Sequence, residues 1–334
     1  MTTEAAAPAE RVRPDLRPPI TAAQAAVLQD ACATAAAIHS ALELGVVARV
    51  TESPADPAAV AADCGLTQQG ARALLSALAG LELLELGDDG CFRPAYSDLA
   101  ELAELFRPWA SLQPALRGER RPADAATTAG AQSLYPRLVS QLGALFRQSA
   151  DHAAGLLAQP SLQVLDVGAG AAPWSLALAA RDPSCRITAV ELPGVIASTR
   201  AAVRRAGLDD QYEFVEGSAF DVDWGGPASY DLALVANLCH LFDDEANLRL
   251  VRRVADALQR NGRVAIVDIL PSERGDGPRP AVLYALGLVL RTGSGRIYPY
   301  STFRRWLGEG GFDDIRRHSL PGPYPFTLIT ARRR

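Results

Sequence analysis

From about residue 161 onward, short apolar segments alternate with segments of helical period, and this alternation most narrowly limits what the chain can fold into. The apolar segments are too short to be helices, whereas stretches such as Glu245 to Leu258 carry the apolar stripe of an amphipathic helix. Strands that alternate with helices are typical of a parallel sheet covered by helices on both faces. The predicted strands are residues 164–167, 187–190, 212–215, 232–235 and 264–270.

The first third of the chain has a different pattern, which is mostly helical. One long helical segment runs from Thr21 to about Val50, and a short helix from Asp56 to Cys64 follows it. A third helix is predicted for Gln68 to Ala79, and two short strands flank the tight turn Gly87 to Gly90. Three helices followed by a hairpin are the pattern of a winged-helix domain, which we place at residues 20–105.

A winged helix either binds DNA or packs chains together, and its charges decide between the two. The third helix carries Arg72 as its only positive charge, and the turn of the wing carries Asp88 and Asp89. The whole chain has 33 Lys and Arg against 38 Asp and Glu, a net charge of −5. Nucleic-acid modules carry a basic face, so the sequence favours pairing of chains and predicts no nucleic-acid partner.

Cysteine, histidine and apolar content indicate the cellular compartment of the protein and the kinds of site that it can contain. Residues 1–19 are predicted to be a flexible tail, and residues 106–158 a connector with a bridging helix. Five scattered cysteines without paired spacing are typical of reduced thiols in the cytoplasm. Four histidines without metal-ligand spacing predict no metal site. The apolar run Ala281 to Leu290 is too short to span a bilayer, so no membrane partner is expected.

A glycine-rich loop follows the first predicted strand, in the segment Asp166 to Ala172. Gly168 and Gly170 allow a sharp turn and a close approach of the backbone to a ligand. Glu191 ends the next strand, where a carboxylate can hold both hydroxyls of a ribose. A dinucleotide fingerprint needs a third glycine where Pro173 stands. The pattern therefore predicts an adenosine-type ligand other than a dinucleotide.

The chain resembles the class I S-adenosylmethionine-dependent methyltransferases, of the small-molecule O-methyltransferase type with an N-terminal winged-helix dimerisation domain. The resemblance covers roughly residues 20–330. The segments that carry it are Ala37–Gly45, Val164–Gly170, Glu191–Pro193, Glu216–Phe220, Cys239–Glu245 and Gly310–Phe312.

The resemblance implies an α/β fold in which a Rossmann-like methyltransferase sheet occupies residues 159–334. It implies S-adenosylmethionine as cofactor, a homodimer, and methyl transfer to a hydroxyl of an aromatic or polyketide-like small molecule. Such reactions belong to secondary metabolism, antibiotic biosynthesis among them. The implied cofactor-binding residues are Asp166, Gly168, Gly170, Glu191, Leu192, Ser218, Ala219, Phe220 and Asn237.

His240 matches the position of the catalytic base in this family. It follows the fourth predicted strand, at the edge where open α/β sheets bind ligands, and an imidazole with a reference pKa of about 6.5 suits proton removal near neutrality. Asp268 aligns with a carboxylate that flanks the base and is expected to orient it or stabilise its charge. The position of the second carboxylate aligns near Tyr300, and Leu241-Phe242 replaces the family's Asp-Trp.

These departures leave alternatives open. Carbon methylation of an activated aromatic ring or ketoacid is one, a cofactor-responsive DNA-binding regulator is a second, and a cofactor-binding fold without methyl transfer is a third. Tyr135 and Phe146 on the bridging helix either line an acceptor pocket or serve only in packing.

Overall fold

The computed structural model describes residues 20–100, 106–119, 124–125 and 127–334, without the side chains of residues 134–142 and 144. The tail predicted for residues 1–19 lies outside this range, as do parts of the predicted connector. Contacts between Cα atoms divide the chain into two compact units, residues 1–103 and 104–334.

The first unit consists of helices and a small antiparallel hairpin. Side-chain oxygens of Thr21, Asp56 and Thr67 cap three of the helices. The prediction of one long helix to Val50 is wrong, because Gly45 has a φ of +73° and breaks the segment in two. The elements are α1 (Ala22–Glu43), α2 (Val46–Glu52), α3 (Pro57–Asp63), α4 (Gln68–Gly80), β1 (Leu84–Leu86) and β2 (Phe92–Pro94).

Helix α1 leaves most of its apolar side chains uncovered within this unit. Ala41 and Leu42 are the residues of α1 that are buried, near its C-terminus. Val27 and Leu28, in its first half, are 58% and 55% exposed. Within the described residues no single helix has the length and apolarity to cross a bilayer, although α1 and α2 meet that test as a pair bent by 63°.

The second unit is built on a seven-stranded sheet. Its helices before the sheet are a 3₁₀ turn (Arg107–Ser111), α5 (Leu112–Leu116) and α6 (Thr128–Leu157). The following elements are β3 (Gln163–Val167), α7 (Pro173–Ala179), β4 (Arg186–Glu191), α8 (Ile196–Ala206), a 3₁₀ turn (Asp209–Gln211), β5 (Tyr212–Glu216), β6 (Tyr230–Ala236), a 3₁₀ turn (Cys239–Leu241), α9 (Asp244–Ala257), β7 (Leu258–Ile269), α10 (Arg279–Leu288), α11 (Tyr300–Glu309), β8 (Phe312–Ser319) and β9 (Phe326–Arg333).

The strand order is β5-β4-β3-β6-β7-β9-β8. The first five strands are parallel, as predicted, and β9 pairs antiparallel with both β7 and β8. The sheet is therefore mixed, and the prediction of a purely parallel sheet is wrong at this end. Charged side chains on the edge strand β8 hide its period in the sequence.

Two apolar layers cover the two faces of the sheet. Along β3, Val164 belongs to one layer, whereas Leu165 and Val167 belong to the other. The first layer contains Trp174 of α7, and the second contains Trp306 of α11. Helices on both faces confirm the layered arrangement and leave the carboxyl ends of the parallel strands as the edge where a ligand site is expected.

Candidate active site

The loop between β3 and α7 takes the conformation that its glycines predict. Gly168 and Gly170 have φ values of +71° and +59°, and Ala172 has a φ of +56°. A Cβ added to Gly168 would lie 3.1 Å from the side chain of Leu238. The positive φ favours glycine at this position, and a Cβ would also require the Leu238 side chain to shift by a few tenths of an ångström.

Glu191, at the end of β4, is fixed against the glycine loop. Its Oε2 accepts a hydrogen bond from the Gly170 N–H at 2.7 Å, and its Oε1 accepts one from the Leu192 N–H at 2.7 Å. Burial raises the pKa of Glu191, and the two backbone hydrogen bonds oppose that rise. Each carboxylate oxygen keeps a second lone pair, so the group can still accept hydrogen bonds from ligand hydroxyls.

A cavity of about 1000 Å³, its open mouth included, lies over this loop. Residues of α6, including Ala131 and Phe146, close one side of it. Of the predicted cofactor-binding residues, it is lined by Gly168, Gly170, Glu191, Leu192, Ser218, Ala219, Phe220 and Asn237.

Asn237, directly after β6, lines the cavity and has an unpaired polar atom in its side chain. Its φ is +55°, and its backbone N–H donates to the Val267 carbonyl at 2.8 Å. Its side-chain Oδ1 is buried and has no hydrogen-bond partner among the described residues. A buried unpaired acceptor costs about 1–3 kcal/mol, so it fits a ligand that brings an N–H donor.

Asp166 differs from its prediction, because it does not line the cavity. Its side chain is 2% exposed and accepts a hydrogen bond from the Ser175 hydroxyl of α7. Tyr212 donates in turn to the Ser175 oxygen at 3.0 Å. Burial raises the pKa of Asp166 to about 7, and the nearby charge of Glu191 adds to the rise. The hydrogen bond from Ser175 lowers the pKa and so opposes both effects. The carboxyl therefore fixes the start of α7 and does not line the cavity.

His240 lies on the 3₁₀ turn after β6 and is held by Asp268 of β7. Its Nδ1 is 2.8 Å from Asp268 Oδ1, and its backbone N–H donates to Oδ2 at 3.2 Å. The Ile269 N–H donates to Oδ1 at 2.8 Å. Because the ionised carboxylate only accepts, Nδ1 carries the proton of the neutral ring and Nε2 carries the basic lone pair.

Tyr284 of α10 occupies that lone pair, a contact that sequence reasoning missed. Its hydroxyl oxygen is 3.0 Å from His240 Nε2, and the two rings meet edge to face. The predicted position Tyr300 lies elsewhere, since its hydroxyl donates to the Ile315 carbonyl at 3.4 Å. In the sequence, Tyr284 is an aromatic residue within an apolar helical segment. Its hydroxyl in otherwise apolar surroundings was the one sign of a polar contact.

The His240–Asp268 pair does not line the cavity. The side chains of His240 and Asp268 are 4% and 2% exposed. Leu238, Leu241 and Phe242, which flank His240 in the sequence, form the cavity wall there.

Phe146, a predicted lining residue, does reach the cavity together with Trp174. The two ring centroids are 6.2 Å apart, and Phe326 packs edge to face on Phe146 at 5.0 Å. Tyr324 adds a fourth ring at 5.9 Å from Phe146. The side chain of Tyr135 lies outside the described residues.

A match to a known protein family identifies the class of enzyme to which this site belongs. The family description "O-methyltransferase domain" matches residues 128–313, more than half of the chain. The chain belongs to this O-methyltransferase family. The protein is accordingly an S-adenosylmethionine-dependent methyltransferase, and the predicted enzyme class and cofactor are confirmed.

Individual relatives agree on methyl transfer and differ in the atom that is methylated. The methyltransferase is 30% identical to L-tyrosine C(3)-methyltransferase of Streptomyces lavendulae over 51% of this chain and 46% of that protein. It is 28% identical to the mitomycin biosynthesis 6-O-methyltransferase of the same species over 94% of this chain and 97% of that one.

Solved structures confirm the predicted fold class, a mostly helical N-terminal region followed in the chain by a Rossmann-like methyltransferase sheet. Human N-acetylserotonin methyltransferase, solved with SAM, superimposes with a TM-score of 0.69 at 22% identity. The match covers 95% of this chain and 99% of that one.

Proposed function

We propose that this methyltransferase transfers the methyl group of S-adenosylmethionine to a hydroxyl of an aromatic or polyketide-like small molecule in secondary metabolism. One observation carries the proposal: the buried His240–Asp268 pair adjoins the wall of the cavity that the glycine loop and Glu191 form. The similarity to an O-methyltransferase of mitomycin biosynthesis over nearly the whole chain supports it.

The cavity residues fit the methyl donor. The loop at Gly168 and Gly170 leaves room for it, Glu191 accepts from ribose hydroxyls, and the unpaired Oδ1 of Asn237 accepts from an N–H group. The bound donor supplies a methyl group activated by a sulfonium. The apolar wall that contains Phe146 and Trp174 keeps water from that group and suits an aromatic acceptor.

His240 is proposed as the general base that finally holds the proton of the acceptor. A phenol has a pKa near 10 and is mostly neutral at pH 7, so removing its proton produces a much stronger nucleophile. Asp268 keeps the Nδ1 proton in place and stabilises the imidazolium that forms when Nε2 is protonated.

The experiment measures S-adenosylhomocysteine release with four acceptors: phenol, 1-naphthol, 3-hydroxy-1-naphthoate and L-tyrosine. We expect turnover with at least one phenol, and His240→Ala should lower kcat about 100-fold while donor affinity, measured by calorimetry, stays unchanged. Equal turnover by the two proteins would remove His240 from the mechanism. Donor binding without release for any acceptor would favour a fold that binds the cofactor without transfer.

Carbon methylation is the second candidate, and a specific observation favours it. The relative that is 30% identical over half of the chain methylates carbon 3 of L-tyrosine by its name. In this case the base would remove a proton from a ring carbon instead of a hydroxyl. The atom that carries the new methyl group in the product separates the two candidates.

We also propose that two chains pair through α1. Val27 and Leu28 are more than half exposed, and an apolar helix face of this kind is normally covered. DNA binding is disfavoured, because Arg93 of the hairpin is engaged with Asp89 of the turn at 2.9 Å. Sedimentation is expected to give a dimer, and a low-salt mobility-shift assay is expected to give no DNA complex. Free thiols at all five cysteines fit a cytoplasmic location.

A further inference from the structure

The hydrogen bonds around His240 determine which way the proton of Tyr284 points. Asp268 accepts from the Ile269 N–H, the His240 N–H and His240 Nδ1, so the neutral ring has its proton on Nδ1. His240 Nε2 is then an acceptor. The Tyr284 hydroxyl, 3.0 Å away, must therefore be the donor in this hydrogen bond.

Tyr284 is well suited to remain a donor. Burial raises its pKa, and the nearby charge of Arg291, whose guanidinium lies 5.0 Å from the ring centroid, opposes that rise. The phenol is thus protonated at neutral pH and blocks the basic lone pair of His240.

Access to the two side chains differs. His240 is 3% exposed, whereas Tyr284 is only partly buried. Tyr284 is not among the residues that line the cavity, but it packs against the apolar layer that contains Trp174, and Trp174 lines the cavity. Among the described residues, Tyr284 is therefore the outermost member of the hydrogen-bonded series Asp268–His240–Tyr284.

We propose that the Tyr284 oxygen takes the proton of the acceptor hydroxyl and that Tyr284 passes its own proton to His240 Nε2. This inference rests on the proposed function. The acceptor O–H bond and the Tyr284 O–H bond break while the Tyr284 oxygen and Nε2 each gain a proton. The acceptor oxygen bonds to the methyl carbon, whose bond to sulfur breaks and leaves its electron pair on sulfur. Tyr284 ends neutral, and the imidazolium of His240 faces the Asp268 carboxylate.

The hydrogen bond itself is tested without an acceptor, by ¹⁵N NMR of protein labelled at its four histidines. Tyr284→Phe keeps the ring and removes the hydroxyl. We expect the Nε2 resonance of His240 to move downfield and its Nδ1 resonance to stay in place, with unchanged S-adenosylmethionine affinity. An unmoved Nε2 resonance would show that Tyr284 does not donate to it.

The relay is tested with the phenol of the four-acceptor set that the wild-type enzyme methylates fastest. Tyr284→Phe should lower kcat at least about tenfold, with little change in the KM for S-adenosylmethionine. In mixtures of H₂O and D₂O, the wild-type rate should curve with deuterium fraction because two protons move, and the Tyr284→Phe rate should be linear. Tyr300→Phe, which removes a phenol hydroxyl remote from His240, is the control and should leave both results unchanged.

Two outcomes would contradict the inference, and they are distinguishable. If a phenol is methylated and Tyr284→Phe keeps the wild-type kcat and curvature, the relay is wrong and the proposed function stands. If no phenol of the set is methylated, the proposed function fails and the relay fails with it.

Discussion

At the scale of single residues, carboxyl groups with similar burial have different tasks. Glu191 faces the cavity and is held by two backbone N–H groups, whereas Asp166 is turned toward Ser175 of α7. Both have raised pKa values because burial disfavours the charged form. Of these two carboxyls, Asp166, whose pKa burial raises to about 7, is the one whose charge changes near neutrality.

Asp166 should make stability depend on pH. Burial raises its folded-state pKa to about 7, so its stabilising contribution is fully present at low pH and is lost as pH rises through 7. Asp166→Asn keeps an acceptor for Ser175 and removes the charge. Between pH 5 and pH 8, the unfolding free energy of the variant should rise relative to wild type by about 2–3 kcal/mol. Urea unfolding measures this, with Asp210→Asn on the surface as control. A difference that is the same at both pH values would contradict the prediction.

At the scale of elements, Gly45 ends α1 and sets the direction of α2. Its φ is +73°, and a Cβ added there would meet no atom within 4 Å. Gly80 has the same open surroundings but an ordinary φ at the last position of α4. Because a Cβ would clash at neither position, comparing the two variants isolates the cost of the backbone conformation at Gly45.

Gly45→Ala should lower the free energy of unfolding by about 1–2 kcal/mol, because an L-residue is disfavoured at this φ. Gly80→Ala should raise it by up to about 1 kcal/mol, because alanine is the better helix former. Thermal and urea unfolding of the two variants measure both effects. A loss of stability in both, or in neither, would contradict the account of this helix end.

A structural feature can be predicted from the sequence when neighbouring residues in the chain determine it, and not when it depends on a contact between distant segments. The loop at Gly168 and the carboxylate of Glu191 follow from strand ends that are neighbours in a parallel sheet, so both were predicted. Tyr284 and His240 are 44 positions apart in the sequence. Tyr284 belongs to an apolar helix, and the apolar period of that helix does not indicate that its hydroxyl contacts His240. Neither β8 nor β9 was predicted, and for β8 the reason is its place at the sheet edge, where charged residues replace the alternation of a covered strand.

At the scale of the whole molecule, the exposed apolar side chains of α1 suggest that another chain covers this helix. Val27 and Leu28 lie in the half of the helix that no other described residue of its unit buries. We expect a second copy of the chain to cover them.

Val27→Glu combined with Leu28→Glu should convert the dimer into a monomer, because two charges would be buried without partners at the contact. Sedimentation velocity measures the change, and Gln69→Glu on the exposed surface of α4 is the control. If wild type is a monomer, or if the double variant sediments as the wild-type dimer does, α1 is not the contact.

In the proposed reaction, the chain places an acceptor oxygen, activated through His240, against the methyl group of its donor. The most direct measurement is ¹³C NMR of the product formed from S-adenosylmethionine labelled at the methyl carbon, with the four acceptors as substrates. We expect a methoxy resonance with the wild-type enzyme and a strongly reduced one with His240→Ala. A methyl resonance on a ring carbon, or equal methoxy signals from the two proteins, would contradict it.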